Sequence, residues 1–277
     1  MVKNLVFISD THGGSRLALC PNEFTLDEGG IYKSSKLQQE LMSKWDEFHT
    51  KWIPLVTKGE PYYLIHNGDA IEGNHHGDVT SITANMKDQR KIAYEVLKDA
   101  VAMPNCAKYY HVRGTEAHVG KSGSDEEELA SQLNAIPDDN GNHARWELWL
   151  RFQGGLVHAS HHVGTTGSAA YESTAVYKEL VEAYNEAGRW GEEPPDVVVR
   201  SHRHRAFETK VPSKKGHAFA IVTPGWQLKT PFTHRIAIGR AGEPMIGGYL
   251  LRSGDEDSLY SRSKIWKMPR PRIEIAE

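Results

Sequence analysis

A chain of 277 residues, 39% hydrophobic and 25% charged, has apolar side chains enough for a substantial core, which excludes a disordered or fibrous class. Its formal net charge of −3 supplies no general basic field, which weighs against a processive nucleic-acid binder while leaving a local basic groove open. Two cysteines, Cys20 and Cys106, imply no disulfide framework, and no apolar run approaches the roughly 18 residues of a membrane span; with no signal-peptide layout, the expectation is a cytoplasmic protein without membrane association.

Along the chain, Leu5-Val6-Phe7-Ile8 predicts a first strand leading to Asp10-Thr11-His12. Residues 13–31 make a polar, glycine-containing loop beside that segment and are expected to face substrate. Leu37, Leu41, Trp45, Phe48, Trp52 and Val56 recur at helical spacing across residues 34–56, and Gly59-Glu60-Pro61 ends the helix. A second strand through Tyr62-Tyr63-Leu64-Ile65 runs into Asn67-Gly68-Asp69. A helix follows over residues 82–101, closed by Pro104, and a third strand through Tyr109-Tyr110-His111-Val112 reaches Gly114. Ser124-Asp125-Glu126-Glu127 has the pattern of a capping box opening a short helix to about residue 136, its acidic run read as favourable charge at a helix N-terminus.

Trp146, Leu148, Leu150 and Phe152 alternate onto one face of a strand that turns at Gln153-Gly154-Gly155 into a hairpin partner. That partner passes Leu156-Val157 and ends in His158-Ala159-Ser160-His161-His162. A helix is expected over residues 169–187, broken by Gly188 and Gly191, and then a strand through Val197-Val198-Val199 to Arg200, followed by Ser201-His202-Arg203-His204. From about residue 206 the chain is β-rich, with antiparallel strands expected near 206–210, 218–222, 235–239 and 247–252 and a solvated basic tail over 264–272. One α/β domain covering residues 1–277 is the simplest organisation.

Five short segments therefore carry carboxylates and imidazoles at strand ends: Asp10/His12, Asp69, residues 114–118, residues 158–162 and His202/His204. Carboxylate oxygen and imidazole nitrogen suit borderline and hard divalent metals, and strand ends can converge on one sheet edge. Taken singly, D-x-H or H-x-H is a common surface turn. Residues i and i+2 of an extended segment project to one side, so Asp10 with His12, and His202 with His204, are each expected to grip one ion. The ordered set predicts a two-metal hydrolase.

The same blocks, in the same order, resemble those of the calcineurin-like metallophosphoesterases, D-x-H, G-D, G-N-H-[DE], H and G-H-x-H, across residues 10–204. The resemblance implies two packed mixed β-sheets flanked by helices, a four-layer sandwich. It implies that Asp69 bridges two ions, that Asp10, His12 and His204 hold one of them, and that His202 and a histidine from residues 158–162 hold the other. The family's strand-end histidine often begins a His-His pair, which favours His161 over His158 and leaves His162 beside the ion or the substrate. Glu72 matches an acidic position that supports the first histidine. The third block departs from the pattern: Gly114 is followed by Thr115-Glu116-Ala117-His118. A neutral hydroxyl is a poor ligand, so Glu116 is preferred to Thr115 as the replacement for the family's asparagine, with His118 as the acid for the leaving group. Ser201 stands where the family has glycine.

Arg113 is a candidate phosphate contact, and Asn74, His75 and His76, with Asp78 in the same loop, are candidates for substrate binding. His49, His66, His111, His143, His217 and His234 are left as ordinary residues. The expected activity is hydrolysis of phosphate esters, more particularly diesters, by hydroxide held between two ions drawn from manganese, iron, zinc, cobalt or nickel. The competing readings are a catalytically silent metal-binding scaffold of the same fold and a nuclease acting on DNA or RNA ends. Substrate and oligomeric state are not legible in the sequence.

Overall fold

The computed structural model describes residues 2–75, 79–164, 169–235, 242–254, 258–268 and 273–274. Among the described residues the strands are β1 (Asn4–Ile8), β2 (Glu23–Thr25), β3 (Ile31–Lys33), β4 (Tyr62–Asn67), β5 (Cys106–Val112), β6 (Ala144–Arg145), β7 (Glu147–Phe152), β8 (Gly155–Ser160), β9 (Val197–Arg200), β10 (Phe207–Ser213), β11 (Gly216–Val222), β12 (Met245–Ser253) and β13 (Leu259–Lys267). The helices are α1 (Lys36–Glu47), α2 (Ile53–Thr57), α3 (Met86–Val101), α4 (Glu116–Val119), α5 (Ser124–Gln132), α6 (Glu172–Trp190) and α7 (Pro231–Arg235). A six-stranded mixed sheet has the order β13-β12-β1-β4-β5-β6, and a five-stranded mixed sheet the order β10-β11-β9-β8-β7.

Strand parity accounts for the layering. In β1, Val6 and Ile8 turn to the helices, where they meet Leu41, Trp45, Phe48, Val96, Leu97 and Leu129, while Leu5 and Phe7 turn to the second sheet. In β9, Val197 and Val199 meet Phe7 and Ile65 in the cleft between sheets, and Val198 packs on Val176 and Leu180 of α6. Each such side chain, taken out of water, stabilises the fold by roughly 1.5–3 kcal/mol before entropy is counted. The result is helices, sheet, sheet and helix in four layers, as the resemblance implied.

Within the first sheet β1, β4 and β5 run parallel, and within the second β8 and β9 run parallel. Parallel pairing brings all their carboxyl ends to one rim, the usual position for ligands in sheets of this kind. Asn67 ties the two rims together, its Nδ2 donating to Ser160 O (3.0 Å) and Ser201 Oγ (2.7 Å).

Several expectations shift. The predicted helix over residues 34–56 runs through a π-helical turn at Phe48–Trp52, and Ser35 caps it with a capping box closed by Gln38. The second helix starts at Met86, where Asn85 caps it, because the preceding residues hold the loop against Gly14 and Gln89. No capping box opens α5: Gly123 occupies the cap position without a side-chain bond, and the helix stops at Gln132. Gly188 is tolerated inside α6, which ends only at Gly191, where the chain turns left-handed (φ 68°). Trp146 lies outside its strand and is 62% exposed, with the Arg113 guanidinium over one face at 4.9 Å from the ring centroid. The expected 235–239 strand falls outside the described residues apart from Arg235, which closes α7. The expected basic tail is instead strand β13 as far as Lys267, with Trp266 packed on Phe48 and Trp226; residues 269–272 lie outside the described residues. Among the described residues no helix is long and apolar enough to cross a membrane.

Candidate metal centre

Backbone hydrogen bonds lock the loop after β1 to the loop after β4: Asp10 N donates to Gly68 O (2.9 Å), His12 N to Asp69 O (3.1 Å) and Gly13 N to Ala70 O (2.8 Å). The segment after β9 is tied to the end of β8 through Ser201 N to His161 O (2.9 Å), and His161 Nδ1 in turn meets Asn67 O (2.6 Å) at the end of β4. Trp226 N, from beyond β11, donates to Asp10 O (2.9 Å). Four strand ends are thereby held around one buried polar volume.

Two triads face each other in it. Asp10, His12 and His204 form the first, and Asp69, His161 and His202 the second, the ligand atoms of each lying within 4.8 Å of one another. His204 Nε2 is 3.2 Å from Asp10 Oδ1, and His161 Nε2 is 2.9 Å from Asp69 Oδ2. His118 Nε2 stands 3.8 Å and His202 Nδ1 3.9 Å from the same Asp69 oxygen. Asp69 also belongs to a group with His12 and His118, so its carboxylate faces both sides of the centre.

The backbone here is strained where the ligands sit. Among the described residues, Asp10 (φ 53°), His12 (φ 44°), Asp69 (φ 54°), His202 (φ 73°) and His204 (φ 50°) all adopt the left-handed conformation. Such a residue costs on the order of 1–3 kcal/mol, and strain of this kind concentrates at functional sites. This corrects the expectation that Asp10/His12 and His202/His204 project from extended segments: each pair converges through left-handed turns just past a strand end. Ser201 needs no glycine-like torsion, because the turn falls on His202; its hydroxyl bonds Asn67 and Thr223 Oγ1 (2.7 Å) instead. Glycine is required elsewhere: a Cβ at Gly114 would collide with Asp69 Oδ1, and one at Gly225 would lie 2.9 Å from the His204 ring.

Opposing charges set the electrostatics. Burial alone would raise the Asp69 carboxyl, but the His161 and His118 imidazoles outweigh it and hold the group well below the ordinary carboxylate range. At Asp10 burial is again outweighed, here by His204 and then His161, and the carboxyl is lowered. Burial pulls His161 down, yet Asp69 and Asp10 push it up to about 10. His12 goes the other way, held well below its ordinary value by burial and by His118 and His204. Within this buried set Asp10 Oδ1 and His161 Nε2 lack a hydrogen bond of good geometry, and His12 Nε2 and His204 Nε2 face each other at 3.1 Å. Converging lone pairs on oxygen and imidazole nitrogen, with carboxylate charge to neutralise, fit divalent cations.

Supporting contacts are well formed on one side. His12 Nδ1 lies 3.1 Å from Glu72 Oε2, and Gln227 Nε2 donates to the same oxygen (2.7 Å), so Glu72 orients His12 from behind. His118 Nδ1 is bonded to Glu72 O (2.5 Å), which leaves Nε2 turned toward Asp69. His75 packs edge-on to His118 (ring centroids 4.3 Å apart) and joins it and Glu72 in a further group. His162 is exposed beside the rings of His161 and His202, at 5.7 and 5.1 Å.

Other expected residues lie elsewhere. Glu116 is exposed at the first turn of α4 and outside every group of converging ligand atoms among the described residues, because the helix start turns its side chain outward. Thr115 takes the interior position, its N–H (2.7 Å) and its hydroxyl (3.3 Å) donating to Asp69 Oδ1. Arg113 is not free to meet a phosphate: it donates to Ala144 O, Ser122 O and Glu127 Oε2. His158 pairs with Val198 in register, on the face of β8 turned to α6; it stacks on Trp149 and bonds Glu147 (2.9 Å). Asn74 donates to Ala84 O (2.8 Å) and so shapes its own loop. His76 and Asp78 lie outside the described residues.

Sequence reasoning missed Gln227, Asn67 and Glu126, each buried and bonded to a segment that carries ligands. Asn67 stood next to Gly68-Asp69 and was open to notice; Gln227 and Glu126 are brought in by tertiary packing alone.

No protein-family model matches this chain, and no curated protein matches it. Similar solved structures include Vps29 of Chaetomium thermophilum, at 12% identity over 96% of each chain with a TM-score of 0.41. A protein of Thermotoga maritima matches at 13% identity, covering 96% of this chain and all of that one, with a TM-score of 0.35. A protein of unknown function from Aquifex aeolicus matches at 13% identity over 78% of this chain and 83% of its own, with a TM-score of 0.31. At these scores the residues of the site, and not the likenesses, carry the functional argument.

Proposed function

We propose that this chain is a metal-dependent phosphoesterase of the binuclear type, hydrolysing phosphodiesters in preference to monoesters. The observation that carries the reading is the pair of carboxylate–histidine triads, with Asp69 of the second also grouped with His12 of the first, and with every triad residue but His161 on left-handed backbone. Asp10, His12 and His204 would hold one divalent ion, His161 and His202 the other, with Asp69 between them. Two such ions supply Lewis acidity toward phosphoryl oxygens and toward water.

The chain's own residues do the rest. Glu72 and Gln227 fix the ring of His12, so that Nε2 faces inward. The bond from His118 to Glu72 O assigns the Nδ1 proton and aims Nε2 at the interior, where a proton carried there is delivered to the departing alkoxide. Asp69 Oδ2 lies 3.8 Å from that nitrogen. Thr115, bonded to Asp69, steadies the central carboxylate rather than adding a carboxylate ligand.

That last feature supports the second reading, a metal-binding scaffold without turnover. The second triad has no amide or carboxylate from the third block, since Glu116 is outside and Thr115 offers only an N–H and a hydroxyl to Asp69. The deciding test uses chelator-stripped protein with manganese, iron, zinc, cobalt or nickel added back, assayed on bis-p-nitrophenyl phosphate and p-nitrophenyl phosphate. Metal-restored turnover of the diester is the expected result. Monoester preference would make the protein a phosphatase, and silence with metal bound would leave the scaffold.

A further inference from the structure

Beneath the metal centre lies a second polar layer in which no residue belongs to either triad. Thr11, between Asp10 and His12, places its hydroxyl 3.0 Å from His66 Nε2. The His66 ring stacks on His111 (centroids 4.9 Å apart, 9° between planes), and His111 Nδ1 meets Tyr109 OH at 2.7 Å. On its other side His111 Nε2 is 3.6 Å from Glu126 Oε1. Glu126 itself is fully buried on α5 and accepts two backbone bonds, from Ala70 N to Oε1 (2.7 Å) and from Gly114 N to Oε2 (2.6 Å).

Those two N–H groups are not arbitrary. Ala70 follows Asp69 and Gly114 precedes Thr115, the residue whose N–H and hydroxyl hold Asp69. One carboxylate therefore spans the loop after β4 and the loop after β5 at the point where they grip the central ligand. A group with two acceptor oxygens on a fixed spacing is needed for this; an amide offers one acceptor and turns a donor toward the other N–H. We infer that Glu126 is a positioning residue of the metal centre, setting the place of Asp69 by pinning both loops, with His111, Tyr109, His66 and Thr11 extending the brace to the loop after β1. This rests on the binuclear reading above.

The neighbouring Glu127 is the natural control. It too accepts backbone bonds from two residues, His143 N and Ala144 N (both 2.8 Å) at the entry of β6, and it accepts from the Arg113 guanidinium just past β5, but it takes no backbone bond from Ala70 or Gly114 beside Asp69. Both glutamates thus brace the fold, and only one braces the site.

The test is manganese affinity of the chelator-stripped full chain by isothermal titration, alongside thermal melting without metal, for wild type, Glu126→Gln and Glu127→Gln. Glu126→Gln is expected to lose about 10–100-fold in affinity, the usual effect of removing an outer support. Glu127→Gln is expected to lower the metal-free melting temperature at least as much while keeping affinity within about 2-fold of wild type, against that same 10–100-fold scale. Should Glu126→Gln not accumulate folded, Glu126→Asp, whose shorter stem reaches only one loop, replaces it with the same expected loss. Unchanged affinity in the Glu126 variant, or an equal loss in Glu127→Gln, overturns the inference and leaves the binuclear reading standing. Absence of manganese binding in the wild type overturns both.

Discussion

The two triads are built from the same side-chain types but are supported differently. On the Asp10 side, His12 has Glu72 behind it and Glu72 has Gln227, and His204 is mostly covered, with 15% of its side chain exposed. On the Asp69 side, His161 is anchored by Asn67 O (2.6 Å), but His202 is 41% exposed, and beside Asp69 the third block places Thr115 and His118 without an amide or carboxylate. On the binuclear reading, the well-supported, closed half would retain an ion, while the open half would exchange one and meet substrate.

The contrast between the halves can be tested by substitution. The largest effect is expected at the residue shared by both halves: Asp69→Asn should take metal content and turnover to background, seen by metal analysis and the diester assay. His118→Gln should reduce turnover by about 10²–10⁴-fold while leaving both ions bound, which separates proton delivery from ligation. Glu72→Gln should weaken the closed half by about 10–100-fold in affinity and leave the weaker binding step in a titration unchanged. Thr115→Asn works in the opposite direction. By adding an amide oxygen to the open half it should tighten the weaker step several-fold, short of about 10-fold, since a supporting group rather than a charge is gained.

The smallest effect concerns stability away from the centre. His49 is buried among Trp45 and Phe48, and burial pushes its imidazole down to about 3. A histidine kept neutral in the fold but free to protonate when unfolded costs nothing above pH 6.5. Stability is then lost as pH falls from 6.5 toward 3, by about 1.4 kcal/mol at pH 5.5. His49→Leu should therefore flatten the acid limb of a melting-temperature profile between pH 7 and 5.

Much of this was legible in the sequence because strands and ligands share a signal. The apolar runs of β1, β4, β5, β8 and β9 end at the residues that converge, so the pattern locating the strands also located Asp10, His12, Asp69, His161, His202 and His204. Glu72 was readable for the same reason, three residues beyond Asp69. The third block was not, because the choice between Thr115 and Glu116 depends on where α4 begins, and a helix start of this length leaves little pattern. Arg113 was misjudged through proximity in sequence, since its side chain turns toward Trp146; His158, ranked behind His161, lies on the opposite face of β8, toward α6. Glu126 was read as helix-terminal charge because its true partners, Ala70 and Gly114, come from other parts of the chain.

The most direct test of the central claim is the number of divalent ions held per chain after reconstitution with manganese, counted by native mass spectrometry. Two ions per wild-type chain, falling to one in His202→Ala, is the result that two triads of unequal support predict. A wild-type chain that binds none, or a His202→Ala chain that still binds two, would contradict it.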